Sequence, residues 1–169
     1  MKKLNEIGLD ITESKWTAEK LNDLLANYSI FYQNVRGFHW HIKGNDFFEL
    51  HDKFEELYSD LQIKIDEIAE RILTLGHSPE HTYTKYVEDS LIAESKKTTN
   101  GKEAIGNVLD SYSAVITMQR EILEKAAEAK DEGTVALLSD YIQQQEKEVW
   151  MYSSFLNKNK SESIRLPRR

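Results

Sequence analysis

One long helical pattern, residues 47–75, constrains the fold more than any other feature of the sequence. It contains no proline and no glycine, and Gly76 follows it directly. Its apolar residues recur at helical spacing along one side and are Phe47, Phe54, Leu61, Ile65, Ile68 and Ile72. A helix with one apolar side is stable only when other helices cover that side, so the pattern predicts a helical bundle.

A second side of this helix carries side chains of the types that bind metals. On a helix with about 100° per residue, four of them fall within about 100° of one another: His51, Glu55, Asp66 and Glu70. They form two pairs with i,i+4 spacing, one starting at His51 and one at Asp66, and this spacing directs both side chains of a pair to one point. The two pairs start about 22 Å apart along the helix, so a single copy cannot bring them to one metal.

The two pairs share one centre. His51 and Glu70 lie equally far from the Asp60–Leu61 junction, and so do Glu55 and Asp66. Two copies of the helix that cross antiparallel at this junction bring the first pair of one chain against the second pair of the other. Such an interface is isologous, so it makes the same contact twice. The spacing therefore predicts two equivalent metal sites, each shared between two copies of the chain.

Each of these side chains taken alone has a simpler interpretation. A histidine on a helix is commonly a hydrogen-bonded core residue, and an acid is commonly part of a solvated face. Here the two pairs lie on one face of the helix and are symmetric about one point, and this combination favours a metal site. The chain has no cysteine, and histidine with carboxylate suits iron, manganese or zinc, the carboxylate excess favouring iron. The Glu-x-x-His motif of di-iron bundles is absent and no histidine follows His81, which excludes a site of that kind within one chain.

The chain on either side of this helix supplies the rest of an all-α four-helix bundle. A first helix is predicted over residues 14–41, with Gly44 ending it and Asp46 capping the next. The region 77–101 is irregular, and a short helix is expected within it at 82–87. A connection of this length between the second and third helices predicts a long crossover along the bundle.

Two further helices complete the bundle. Asn100 and Glu103 form a capping pair that begins the third helix, which is expected to end near Lys130. A tight turn at 131–133 follows. Thr134 is then expected to cap the fourth helix.

The chain divides into an N-terminal arm (1–13), the bundle (14–157) and a basic C-terminal tail (158–169). The net charge of -7 argues against a nucleic-acid surface on the bundle and is compatible with attraction of cations. The sequence shows no signal peptide and no apolar run long enough to span a membrane, so a cytoplasmic protein is expected. The tail leaves one alternative, a DNA-condensing protein whose many tails act together. Because the bundle is acidic, we expect DNA binding to be weak or absent at physiological salt.

Two blocks of sequence resemble the Dps family, the DNA-binding proteins from starved cells, or mini-ferritins. The first is YQNVRGFHWHIKG at 32–44, followed by FFELH at 47–51, and the second is DEIAERI at 66–72. Further similarity runs through DEGT at 131–134 and QEKEVWM at 145–151. The resemblance covers nearly the whole chain. It implies a ferritin-like four-helix bundle assembled into a dodecameric shell, with ferroxidase centres at two-fold interfaces.

The metal ligands of that family carry over by resemblance to five positions. They are His39, His51 and Glu55 of one chain, with Asp66 and Glu70 of its mate. The family usually has aspartate where this chain has Glu55, whose longer side chain is expected to reach the metal directly or through water. This set agrees with the shared centre that the helical spacing predicts.

Other positions have roles that only the resemblance implies. Trp40 matches a tryptophan that quenches radicals beside the family's metal centre, although packing explains it equally well here. Asp131 and Asp140 match acids that line the family's iron-access pores at three-fold axes, where this chain has Ala136 in place of a further acid. No metal-binding role is assigned to the remaining histidines, which are His41, His77 and His81.

The resemblance also implies a reaction. The protein is expected to oxidise Fe(II), favouring hydrogen peroxide over dioxygen, and to store the ferric mineral in the cavity of the shell. Consumption of both reactants would suppress hydroxyl-radical formation and protect the cell and its DNA. Zinc and manganese are candidate substitutes for iron at the site. A self-assembling shell without redox activity is the structural alternative.

Overall fold

The computed structural model describes residues 3–156, which contain five α-helices. The four long helices are α1 (Ile11–His41), α2 (Phe47–Thr74), α4 (Gly101–Glu128) and α5 (Glu132–Phe155). The short α3 (Tyr83–Asp89) lies in the connection between α2 and α4. The described part of the chain therefore confirms the all-α four-helix bundle with a long crossover. None of these helices is long and apolar enough to cross a membrane.

Capping side chains explain where α1 and α4 begin. The Asp10 carboxylate accepts two N–H groups of the first turn of α1, at 2.9 and 3.4 Å. The helix consequently begins at Ile11, earlier than predicted. Asp46 occupies the predicted cap position of α2 but makes no capping hydrogen bond with its side chain. Asn100 caps α4 as predicted, its side chain accepting the N–H of Glu103 at 3.0 Å.

The cap of α5 differs from the prediction, which assigned it to Thr134. Asp131 is the N-cap residue, and its carboxylate accepts the Thr134 N–H at 3.0 Å and the Thr134 hydroxyl at 2.6 Å. Arg71 of α2 donates to the same carboxylate at 2.5 Å and to the Thr134 hydroxyl at 3.0 Å. The helix already includes Glu132 and Gly133, where the sequence predicted a tight turn at 131–133, so the cap lies three residues earlier than predicted.

Three asparagines of α1 hold the crossover against the bundle: Asn22, Asn27 and Asn34. Their side-chain oxygens accept backbone N–H groups of the crossover. Asn22 accepts from Glu80 at 2.8 Å. Asn27 accepts from Leu91 and Ile92 at 3.0 and 3.2 Å, and Asn34 accepts from Ser95 at 2.8 Å. These bonds satisfy backbone groups that have no helix partner. The crossover thus runs along α1 and returns the chain to the far end of the bundle, where α4 begins.

The core of the bundle takes one side of α2 and leaves another side exposed. The buried residues of α2 are Leu50, Phe54, Leu57, Leu61, Lys64, Ile68 and Ile72. Phe47 and Ile65, predicted as core residues, are only half-buried. The exposed side includes Glu55, Asp66 and Glu70. The fold therefore leaves the acids of the predicted metal site accessible along a single helix.

Candidate metal centre

The turn between α1 and α2 brings two histidines together. His39 lies in the last turn of α1 and His51 in the second turn of α2. The Nδ1 atom of His51 lies 3.0 Å from the carbonyl oxygen of His39, and the Nδ1 atom of His39 lies 2.9 Å from the carbonyl oxygen of His51. The carbonyl of His39 is among the last four of its helix and has no partner within it, which leaves it available to the side chain.

These two hydrogen bonds determine which ring nitrogens remain free. A carbonyl oxygen only accepts, so each Nδ1 atom must carry the proton and donate. In a neutral ring the Nε2 atom then keeps its lone pair, and this is the form in which a histidine binds a metal. The two rings stack with centroids 3.8 Å apart and planes inclined by 21°. These contacts therefore hold both imidazoles in a fixed orientation.

Aromatic neighbours restrict the rings further. Tyr58 meets the His39 ring edge-on, with centroids 5.3 Å apart. The ring of Phe47 stacks on the ring of His51, with centroids 5.1 Å apart. Neither neighbour was identified from the sequence as part of the site. Tyr58 could have been predicted to lie near the site, because it follows His51 by seven residues and therefore lies on nearly the same side of the helix.

Glu55 completes a group of three potential ligands. One ligand atom from each of His39, His51 and Glu55 can be chosen so that all three lie within 4.8 Å of one another. Both histidines are half-buried, while Glu55 is exposed. Among residues 3–156, no other group of three or more histidine or acidic side chains has this geometry. The chain thus presents two imidazole nitrogens and one carboxylate at a single point.

Asp66 and Glu70 do not join this group within the chain. They are exposed residues one turn apart on α2. Asp66 lies about 16 Å from Glu55 along the helix axis, too far for the two to share an ion. The structure therefore brings together three of the five predicted ligands and leaves the other two as a separate exposed pair of carboxylates.

The rotation of α2 about its own axis is fixed by a polar layer against α5. Lys64 is buried, and its ammonium group donates to Asp60 at 2.5 and 2.6 Å and to Gln144 at 2.9 Å. One turn further, Tyr141 of α5 donates to Glu67 at 2.5 Å. Burial, followed by this hydrogen bond, raises the pKa of Tyr141, so the phenol stays protonated as the donor. These contacts keep the side of α2 that bears the potential ligands turned away from the core.

The other predicted positions lie outside this group. Trp40 is exposed, and the guanidinium carbon of Arg36 lies 4.8 Å from the centroid of its ring. His41 and His77 are half-buried and His81 is exposed.

The two predicted pore acids differ in their surroundings. The side chain of Asp131 is 2% exposed, and its carboxylate is occupied by Arg71 and Thr134. It serves the fold of its own chain and is not available on the surface of the chain. Asp140 is exposed on α5 and keeps the accessibility that a pore acid needs. The predicted basic tail, residues 158–169, lies outside the described residues.

Comparison with known proteins identifies relatives over most of the chain. Residues 18–161 match the family model of the ferritin-like domain. The DNA protection during starvation protein of Porphyromonas gingivalis is 40% identical over 159 residues, covering 94% of this chain and 100% of the relative. The crystal structure of a Dps protein from Vibrio cholerae, a member of a broad superfamily of ferritin-like diiron-carboxylate proteins, has a TM-score of 0.89 and 52% identity, covering 90% of this chain and 96% of that one. That of a Dps protein from Bacillus brevis has a TM-score of 0.83 and 34% identity, covering 86% and 97%.

Proposed function

The chain belongs to the Dps family of ferritin-like proteins, and from this premise we propose that it oxidises Fe(II) at centres shared between two copies and stores the ferric product. The observation that carries the proposal is the half-built centre of His39, His51 and Glu55. Its two imidazoles are fixed with their Nε2 atoms free, yet three ligands are too few to hold two irons. A second copy that contributes Asp66 and Glu70 supplies the missing carboxylates.

The donor set fits iron. Two imidazole nitrogens and three carboxylates, with no thiolate, suit Fe(II) and Fe(III), and zinc or manganese can occupy the same donors. In an open, carboxylate-rich site the ligands hold the ions close together and leave positions for the oxidant. Hydrogen peroxide is the favoured oxidant, since one peroxide and two protons accept the two electrons of two Fe(II) ions and give two water molecules. No hydroxyl radical is released when both electrons are taken at one centre.

The other parts of the chain support storage. The copies assemble into a closed dodecameric shell in the cytoplasm, with the ferric mineral inside it. Asp140 offers an exposed carboxylate for attracting Fe(II) to an access pore. Trp40 lies next to His39 in the chain and is exposed, so it is available to take up a stray radical. Removal of Fe(II) and peroxide together would protect DNA, consistent with the name of the Porphyromonas relative.

The proposal is tested by iron oxidation. Fe(II) is added anaerobically to the protein, peroxide follows, and the ferric absorbance is recorded with time. We expect the protein to accelerate the reaction over protein-free buffer, and His51→Ala to abolish the acceleration. His81→Ala is the matched control, because His81 is an exposed histidine outside the centre. A wild-type rate equal to that of buffer, or equal losses in both variants, would contradict the proposal.

A further inference from the structure

The exposed side of α2 carries large apolar side chains as well as acids. Phe48 is 81% exposed and Leu73 is 58% exposed. They lie near opposite ends of the helix, which spans Phe47–Thr74. Single exposed apolar residues are common, but two of this size at matched positions on one helix face indicate a contact surface.

The two side chains lie on the same line as the acids of the metal centre. With His51 at zero and about 100° per residue, Phe48 lies at about 60° and Leu73 at about 40°. Glu55 and Asp66 occupy the same two directions, about 40° and about 60°. Phe48 precedes Glu55 by seven residues and Leu73 follows Asp66 by seven. Phe48 and Leu73 are therefore placed symmetrically about the same point on the helix as the two acids.

We infer that Phe48 of one chain packs against the partner subunit's Leu73, and that this apolar contact closes the outer end of each shared metal centre. The inference rests on the proposed function, because it takes from it the antiparallel crossing of two α2 helices. In that crossing, a contact between Glu55 and the partner's Asp66 requires the residues two turns further out to face each other as well. His51 and the partner's Glu70 then lie between the acidic contact and the apolar one. The occupant of this apolar surface is thus a second copy of the chain.

The contact has a direct connection to the centre. The ring of Phe48 meets that of Phe47 edge-on at 5.2 Å, and the ring of Phe47 stacks on His51 at 5.1 Å. Covering Phe48 with the partner's Leu73 therefore holds Phe47 against the imidazole. It also removes water from the end of the centre at which His51 lies.

The geometry sets one condition. Phe48 and Leu73 lie about 19 Å from the crossing point, so the two helices must stay close along their whole length. A crossing angle near about 20°, which is common in helical bundles, meets this condition, whereas a steep crossing separates the ends. Ile63, the third large apolar side chain exposed on α2, lies at about 120° and is off this line.

A charge exchange tests the contact through assembly, in the absence of iron. Phe48→Glu places a carboxylate against the partner's Leu73 and close to the partner's Glu70, so the variant is expected to show a smaller mass than the wild type by sedimentation. Adding Leu73→Lys to the same chain places a lysine opposite each new glutamate of the partner. The two-fold axis repeats this attractive pair, so the double variant should regain the wild-type mass. The matched control adds Leu91→Lys instead, at a residue that is 76% exposed in the crossover, and should restore nothing. Phe48→Ala should weaken assembly at low protein concentration and is the milder second variant.

The outcomes separate this inference from the proposed function. Loss of mass with Phe48→Glu, recovered by Leu73→Lys and not by Leu91→Lys, supports the contact whether or not the protein oxidises iron. Wild-type mass for Phe48→Glu and Phe48→Ala at all concentrations would overturn it, as would equal recovery by both lysines. In that case, accelerated iron oxidation that depends on His51 would leave the proposed function intact. Circular dichroism checks that each variant keeps its helices, as expected for exposed positions.

Discussion

Asp131 gives the sharpest test of how the bundle is held together. Its carboxylate caps α5 through the Thr134 N–H and pairs with Arg71, whose side chain is only 16% exposed. Asp131→Ala removes the cap, at a cost of about 1 kcal/mol. It also leaves a mostly buried guanidinium without its carboxylate and with only the Thr134 hydroxyl as an acceptor, which costs about 2–4 kcal/mol at this partial exposure. We expect the free energy of unfolding to fall by about 3–5 kcal/mol.

Two further variants divide this loss into its parts. Asp131→Asn keeps a side-chain oxygen for the cap and loses only the charge, so it should cost about 2–4 kcal/mol. Asp140→Ala removes the other predicted pore acid, which is exposed, and should cost no more than about 0.5 kcal/mol. Denaturant unfolding is measured at one protein concentration for all variants, because assembly contributes to apparent stability. Equal stabilities for Asp131→Ala and Asp140→Ala would refute the assignment of Asp131 to the fold.

Three other predictions concern the crossover, the polar layer and the tail. Asn27→Ala leaves the Leu91 N–H without its acceptor and the Ile92 N–H with only the Ser90 hydroxyl, and should cost about 1–3 kcal/mol, with faster amide exchange confined to residues 90–92; unchanged exchange there would contradict this. Lys64→Ala removes the cation beside the Asp60 carboxylate, which keeps only its hydrogen bond from Gln144, and should destabilise the bundle. Lys64→Met with Asp60→Leu should recover much of the loss; a double variant no more stable than Lys64→Ala would be evidence against the role of the ion pair. A gel-shift assay at physiological salt should show little or no DNA binding; a clear shift that disappears on deletion of the residues after Asn159 would contradict this expectation.

The sequence predicted those features of the helices that depend only on neighbouring residues of the same helix. The apolar side of α2 and the position of Asn100 as a cap depend on residues within one or two turns; the structure confirms the cap and buries four of the six residues predicted for the apolar side. The burial of Lys64 was missed, because a lysine is tolerated in the core only when distant residues such as Gln144 surround it. The cap of α5 was assigned to the wrong residue because residues 131–133 were predicted to form a tight turn, whereas Glu132 and Gly133 already belong to the first turn of the helix.

The sequence predicted part of the group formed by His39, His51 and Glu55, but not how the two histidines are held. The spacing of His51 and Glu55 showed that they share a face, and the structure brings their ligand atoms together. The contribution of His39 depended on the resemblance, because the spacing within α2 carries no information about a residue of α1. The reciprocal hydrogen bonds between His39 and His51 could not be predicted, since they require the turn 42–46 to set the two helices at one separation.

The proposed metal centre takes its ligands from two chains. His51→Ala and Asp66→Ala should each abolish accelerated iron oxidation when every copy carries the same change. In a mixed pair, one centre receives both defects, while the other receives the intact His51 of one chain and the intact Asp66 of the other. Random co-assembly of equal amounts should therefore restore about one quarter of the centres.

Co-assembly of these two variants is the most direct measurement, with the mixed composition verified by mass. The matched control mixes His51→Ala with His39→Ala, whose changes lie on the same side of the centre and leave one lesion in every site. We predict recovery of about one quarter of the wild-type rate in the first mixture and none in the control. Verified mixed assemblies that remain as inactive as the control would contradict a centre shared between two chains.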